Sequence, residues 1–272
     1  MIAALLISLG LLAQQTPPQQ EAPADVVPDV VIRGVSGDAL GRFVGGLTIP
    51  GESGRFLGQV ARWDAQLCVE VSGAVPEVNS YLTEQIAANL DSLDIPHAGA
   101  GCDPTVMVVV TPDADLFAHT FADRYRRRIF EGRAQAIDAF EGPPRPVRWR
   151  HLVRIDQQAL PNTRLKMATV RTIQQTMIVV DAGRASAPPL DALAAYLAFV
   201  ALVDLPPNPE TGGQRTILSL FDEAEPDRPR GLTRWDRAFL EALYRMTPDV
   251  SFGFQQSEIE NRMRRTLAAP EP

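Results

Sequence analysis

The chain has 272 residues, 45% of them apolar and 22% charged, enough for one sizeable globular domain or two small ones. Its formal net charge of −7 argues against nucleic acid as a partner, because phosphate backbones select basic surfaces. Lys166 is the sole lysine, so nearly every cationic side chain is a planar guanidinium able to make paired hydrogen bonds.

Met1–Ala13 (MIAALLISLGLLA) is an apolar run shorter than the roughly 20 residues a membrane-spanning helix needs. It fits the apolar region of a signal peptide, with small Ala13 before the cleavage point. The usual basic flank is missing, and the absence of a cysteine at its end argues against a lipid anchor. Residues 14–28 are rich in Pro and Gln and predict a disordered linker. A single folded domain is expected over 29–272, without a transmembrane span, in the periplasm or secreted. In that setting the two cysteines, Cys68 and Cys102, predict a disulfide. Closing a loop of about 35 residues would contribute roughly 3–4 kcal/mol in the chain-entropy model.

Within the domain, Asp29–Gly34 predicts a short strand, Asp38–Leu47 a glycine-weakened helix and Gly51–Gly54 a turn. Gln66–Val71 alternates apolar and polar residues as a half-exposed strand does. Over Val75–Leu93, residues Val78, Leu82, Ile86, Leu90 and Leu93 form one apolar helical stripe behind Pro76. Thr105–Thr111 (TVMVVVT) is the most β-branched run in the chain and predicts a strand buried on both faces. A helix is expected over Ala114–Phe130, strands over Val147–Asp156 and Thr176–Asp181, and a parallel pairing of the first two strands through a right-handed crossover.

The chain is organised around Pro188–Met246. Leu190–Leu205 predicts a helix that from Leu193 onward has almost no polar face and is buried nearly all round. Pro206–Pro207 stops it, and Thr216–Asp222 (TILSLFD) returns apolar residues to the core. A second helix spans Thr233–Met246, with Thr233 and Asp236 spaced as a capping box.

This order of parts resembles the C-terminal half of metzincin peptidases, in which a zinc-binding helix (HExxHxxGxxH) is followed by a loop, a tight apolar turn and a closing helix of the form LTxxDxxxIxxLY. The matching residues are Leu232, Thr233, Asp236, Leu240, Leu243 and Tyr244, with Ala201 and Leu202 in the first helix. The resemblance covers about the last 60 residues. Over most of its length the chain is also similar to an uncharacterised family of exported proteobacterial proteins, through the ILxLF turn and the LTxWDRAxLxALY helix. The peptidase pattern places Tyr196, Val200 and Pro206 at the histidine positions and Leu197 at that of the glutamate base. None of these can hold zinc or activate water. The resemblance therefore implies a shared scaffold without its chemistry: a pseudoenzyme.

Elsewhere, catalytic chemistry is sparse. His97, His119 and His151 are not paired at helical spacing, and no GxSxG, P-loop or GxGxxG occurs. The carboxylates Asp113, Asp115 and Asp123 read as solvated surface. No catalytic, cofactor or metal residues are predicted. Charge is uneven, with Arg124, Arg126, Arg127, Arg128, Arg133, Arg145, Arg148, Arg150 and Arg154 crowding the middle of an acidic chain. They predict an anion-binding patch, or arginine–carboxylate pairing inside the fold. The fold expected is α+β: a mixed sheet of four or five strands, flanking helices and a helical C-terminal unit. The functional expectation is a non-catalytic, exported envelope protein acting by binding or assembly on an envelope protein or anionic surface. Two alternatives stand beside it: a hydrolase with metal ligands gathered from His97, His119 and His151, and a structural partner of a secretion or cell-wall system.

Overall fold

The computed structural model describes residues 36–51, 58–99, 101–158, 163 and 166–270. The expected signal peptide and linker, the strand expected at Asp29–Gly34 and most of the turn expected at Gly51–Gly54 lie outside them. The fold is α+β, and the described residues form seven α-helices and one four-stranded mixed sheet.

Ser36 caps α1 (Gly37–Leu47) by accepting from the Ala39 N–H. β1 (Val69–Ser72), α2 (Pro76–Asp91) and β2 (Val106–Thr111) form the expected parallel βαβ unit, with Val71 opposite Val108. Leu82, Ile86 and Leu90 of α2 lie in the main core. α3 (Ala114–Arg124) starts at Asp113, whose carboxylate accepts from the Leu116 N–H. It stops six residues before the predicted end. The chain leaves the helix at Tyr125 so that Ile129 and Phe130 can join Phe121 and Phe140, with the Phe130 and Phe140 rings 5.4 Å apart. Aromatic packing outweighs the propensity of the arginine run to continue the helix. α4 (Ala134–Glu141), absent from the sequence reading, follows.

β3 (Val147–Gln157) and β4 (Thr169–Asp181) form a long antiparallel pair, and the sheet order is β1-β2-β4-β3. β4 begins seven residues earlier than Thr176. Its added segment is polar, and an irregularity opposite Leu152/Val153 leaves Gln174 unpaired in the register. Such an extra residue reverses the alternation. After it in the chain, Thr176, Ile178 and Val180 face one layer; before it, Ile173 and Arg171 do. On that layer lie α2, the buried helix α5 (Leu190–Leu202), α6 (Arg234–Arg245) and α7 (Phe252–Ala268). The other face carries α3 and α4 over Met177 and Val179. α5 ends three residues short of Leu205.

Between α5 and α6 the apolar turn is a 3₁₀ helix, Ile217–Ser219. Asp236 joins it to α6. One carboxylate oxygen accepts from the Thr233 N–H at 2.8 Å, completing the expected capping box, and from the Ile217 N–H at 2.7 Å. α7 completes the unit. Its Gln255 is fully buried, accepting from the Val60 N–H at 2.6 Å and donating to the carbonyls of Thr247 and Pro248.

Candidate functional site

A helix leaves its last carbonyls without intrahelical partners. α5 is buried from Ala192 to Leu202, so water cannot supply donors there, and its C-cap Val203 is extended rather than left-handed. Three side chains take the place of a glycine cap. His151 on β3 reaches the Val200 carbonyl at 2.8 Å, Trp63 donates to Ala201 at 2.8 Å, and Tyr244 on α6 donates to Leu202 at 3.0 Å. The histidine contact fixes the ring with Nε2 protonated, leaving Nδ1 as the acceptor. Burial lowers the His151 pKa, against the pull of the Asp204 carboxylate and the Val200 carbonyl. Burial pushes the Tyr196 and Tyr244 phenols far above their usual range. Trp63→Phe, which removes the donor and part of a buried ring system, is expected to cost about 2–4 kcal/mol in urea denaturation by leaving the Ala201 carbonyl unpaired and a cavity beside it. An unchanged midpoint would mean that this carbonyl finds another donor.

β3 pairs on one side with β4; among the described residues no strand pairs with its other edge. Three adjoining cavities follow that side of β3. The central one, about 480 Å³, lies over Trp149, Arg150 and His151 and is walled by α4 and by Asp204 and Leu205 beyond α5. A second, about 430 Å³, shares Arg150 and His151 and continues to Val153, Ile155 and Arg171. A third, about 320 Å³, shares Trp149 and Arg145 and runs past Val147 to Tyr196 and Phe221. Together they make a trough along most of the strand.

Four arginines line it: Arg133, Arg145, Arg150 and Arg171. Arg171 pairs with Asp204 at 3.1 Å, and Arg133 with Glu131 at 2.7 Å. Arg150 lies over the Phe130 ring at 5.7 Å and donates to the Ile129 carbonyl. Arg145 donates to the carbonyls of Pro207 (3.0 Å) and Ala139 (2.7 Å).

The residues singled out in the sequence fall into several places. Cys68 and Cys102 form the expected disulfide, with Cα atoms 5.9 Å apart. Arg124, Arg126, Arg127 and Arg128 are exposed at the end of α3, as are Arg133 and Arg154. Arg148 does not belong to that surface. Its side chain is 1% exposed, paired with Asp115 and directed at the carbonyls of Glu141 and Pro143. The internal pairing therefore holds for Arg148, because β3 alternation turns it under α4. Asp113 is a helix cap, and Asp123 is exposed.

Leu197 and Val200 are fully buried in α5, and the Tyr196 ring packs edge-on against Phe221 at 5.1 Å. The three histidines do not converge. His97 contacts Asp91 at the end of α2, His119 is exposed on α3 beside Glu141, and His151 caps α5. Among the described residues no three His, Cys, Asp or Glu side chains group as a metal site, so His97, His119 and His151 do not form the shared ligand set that the hydrolase alternative expects. Also among the described residues, no helix is long and apolar enough to cross a membrane.

Sequence reasoning missed Trp149, Arg171 and Asp204 as wall residues. No local signal marks them, since Arg171 and Asp204 meet across 33 positions. Comparison with known protein families, curated proteins and solved structures gave no match.

Proposed function

We propose that this protein acts by binding, as a non-catalytic exported component of the bacterial envelope, and that it takes an extended polypeptide segment of its partner in the trough beside β3. One observation carries the reading. The trough is lined by β3 residues from Val147 to Ile155, with arginines along it, and among the described residues no strand pairs with the outer edge of β3. A strand edge offers backbone donors and acceptors to an added strand, while the arginines favour negatively charged segments. The disulfide supports an oxidising compartment, in line with the expected leader. The succession α5, tight turn, capped α6 supports the peptidase-like scaffold, and the apolar burial of Leu197 and Val200 supports its lack of peptidase chemistry.

The test is selection of a displayed heptapeptide library on the oxidised protein, with a photoreactive residue replacing half-exposed Ile155. Retained peptides are expected to cross-link there, to weaken with salt, and to lose affinity when their backbone amides are N-methylated. Retention insensitive to N-methylation, or no retention at all, would sink the proposal.

A further inference from the structure

We infer that Arg145 is a carboxylate anchor within the trough, so that the segment it receives carries an acidic side chain or a free C-terminus at that point. The inference rests on the trough as a peptide site. Arg145 lines both the central cavity and the one that continues toward Tyr196, so a ligand running along β3 passes it midway.

Its surroundings set it apart from three nearby arginines. Arg171, Arg133 and Arg148 each have a carboxylate partner, in Asp204, Glu131 and Asp115. Arg145 has only the two carbonyls of Ala139 and Pro207, and its buried Nε has no hydrogen-bond partner. Burial, and then the nearby Arg148 charge, hold its pKa below the usual guanidinium value. This is a partly desolvated cation without a counter-ion among the described residues, an arrangement that costs free energy until an anion arrives.

The two carbonyls also fix the guanidinium from both sides, and a guanidinium carries five N–H donors. The Nη hydrogens not committed to Ala139 and Pro207 remain for a ligand, whereas the enclosed Nε does not. A held, planar fork matches a carboxylate better than a rotating ammonium does. A single guanidinium suits a monoanion. Ala136, Ala139, Trp149 and Leu205 beside it give apolar contact to the residues flanking the acid.

The experiment uses the wild-type oxidised protein and synthetic heptapeptides taken from the selected pool. Each is made in three forms: acidic, with every Asp and Glu changed to its amide, and with the C-terminus amidated. Glutarate is titrated as a free dicarboxylate. Removing the critical carboxylate is expected to weaken binding about tenfold or more. The loss should disappear in Arg145→Met, which keeps most of the side-chain volume. Because the acid-to-amide comparison is made on the wild type, it stands even if that variant folds poorly. Equal binding of all three forms overturns the anchor and leaves the peptide trough intact. Glutarate binding as tightly as the peptides would keep the carboxylate site and overturn the polypeptide ligand. Failure of every peptide removes the underlying reading itself.

Discussion

Asp236→Asn is expected to abolish a specific pH dependence of stability while leaving the fold in place. Burial pushes the Asp236 carboxyl up to about 6, against the hydrogen bonds from Thr233 and Ile217 and the Arg237 charge, which pull it down. The folded state therefore holds a proton more readily than the unfolded chain between about pH 4 and pH 6. Stability from this group rises as pH falls through that window and is lost as pH rises. The difference is on the order of ~2–3 kcal/mol. Asparagine keeps an oxygen for the Thr233 and Ile217 N–H groups and does not ionise. It should match or exceed the wild type at neutral pH, and the wild type should gain on it down to pH 4. Asp236→Ala removes the acceptor from two buried backbone donors and is expected to cost about 2–4 kcal/mol at the acid end. At neutral pH, where the buried charge is relieved as well, the cost should be smaller. Urea denaturation of the three proteins between pH 4 and pH 8 decides the matter. Parallel curves for wild type and Asp236→Asn would show that this carboxylate does not titrate in the window.

The second large effect belongs to the disulfide. Cys68 precedes β1, and Cys102 lies on the approach to β2, 34 positions later. The backbone is already joined there, with the Thr105 and Val106 N–H groups both donating to the Cys68 carbonyl. The bridge thus closes the βαβ unit at its entry without moving it. The double variant Cys68→Ser, Cys102→Ser should lose about 3–4 kcal/mol by the chain-entropy argument. Reduction of the wild type should reproduce that loss. A double variant as stable as the wild type would place the same constraint in the unfolded chain by other means.

Much of this frame could be read from local patterns. The stripe on α2, the β-branched run of β2, the apolar α5 and the Thr233–Asp236 spacing each carry their signal within a few residues, and each element formed. What escaped depended on partners distant in sequence. α4 is short and starts at Arg133 without a side-chain cap. α7 has a stripe at Phe252, Ile259, Met263 and Leu267, but buried Gln255 interrupts it, because that amide serves the Val60 backbone. The first half of β4 is polar, and the extra Gln174 breaks its alternation. Arginines could be counted in the sequence but not sorted. Alternation along β3 sends Arg148 inward, while only the fold shows that Arg145 meets the end of α4 and the Pro207 loop. The three side chains on the α5 carbonyls come from positions 63, 151 and 244, which no spacing rule connects.

Among the described residues no strand pairs with the outer edge of the eleven-residue β3, and an open edge is a hazard, since identical edges can pair with one another and seed aggregates. Here Arg150 and Arg154 stand along the edge, with Arg145 just before it. Two copies approaching β3 to β3 would bring guanidinium near guanidinium, and opposed like charges disfavour such pairing. On the proposed reading, the charge that would make the trough selective would also disfavour pairing of the protein with itself, so solubility and recognition would rest on the same few arginines.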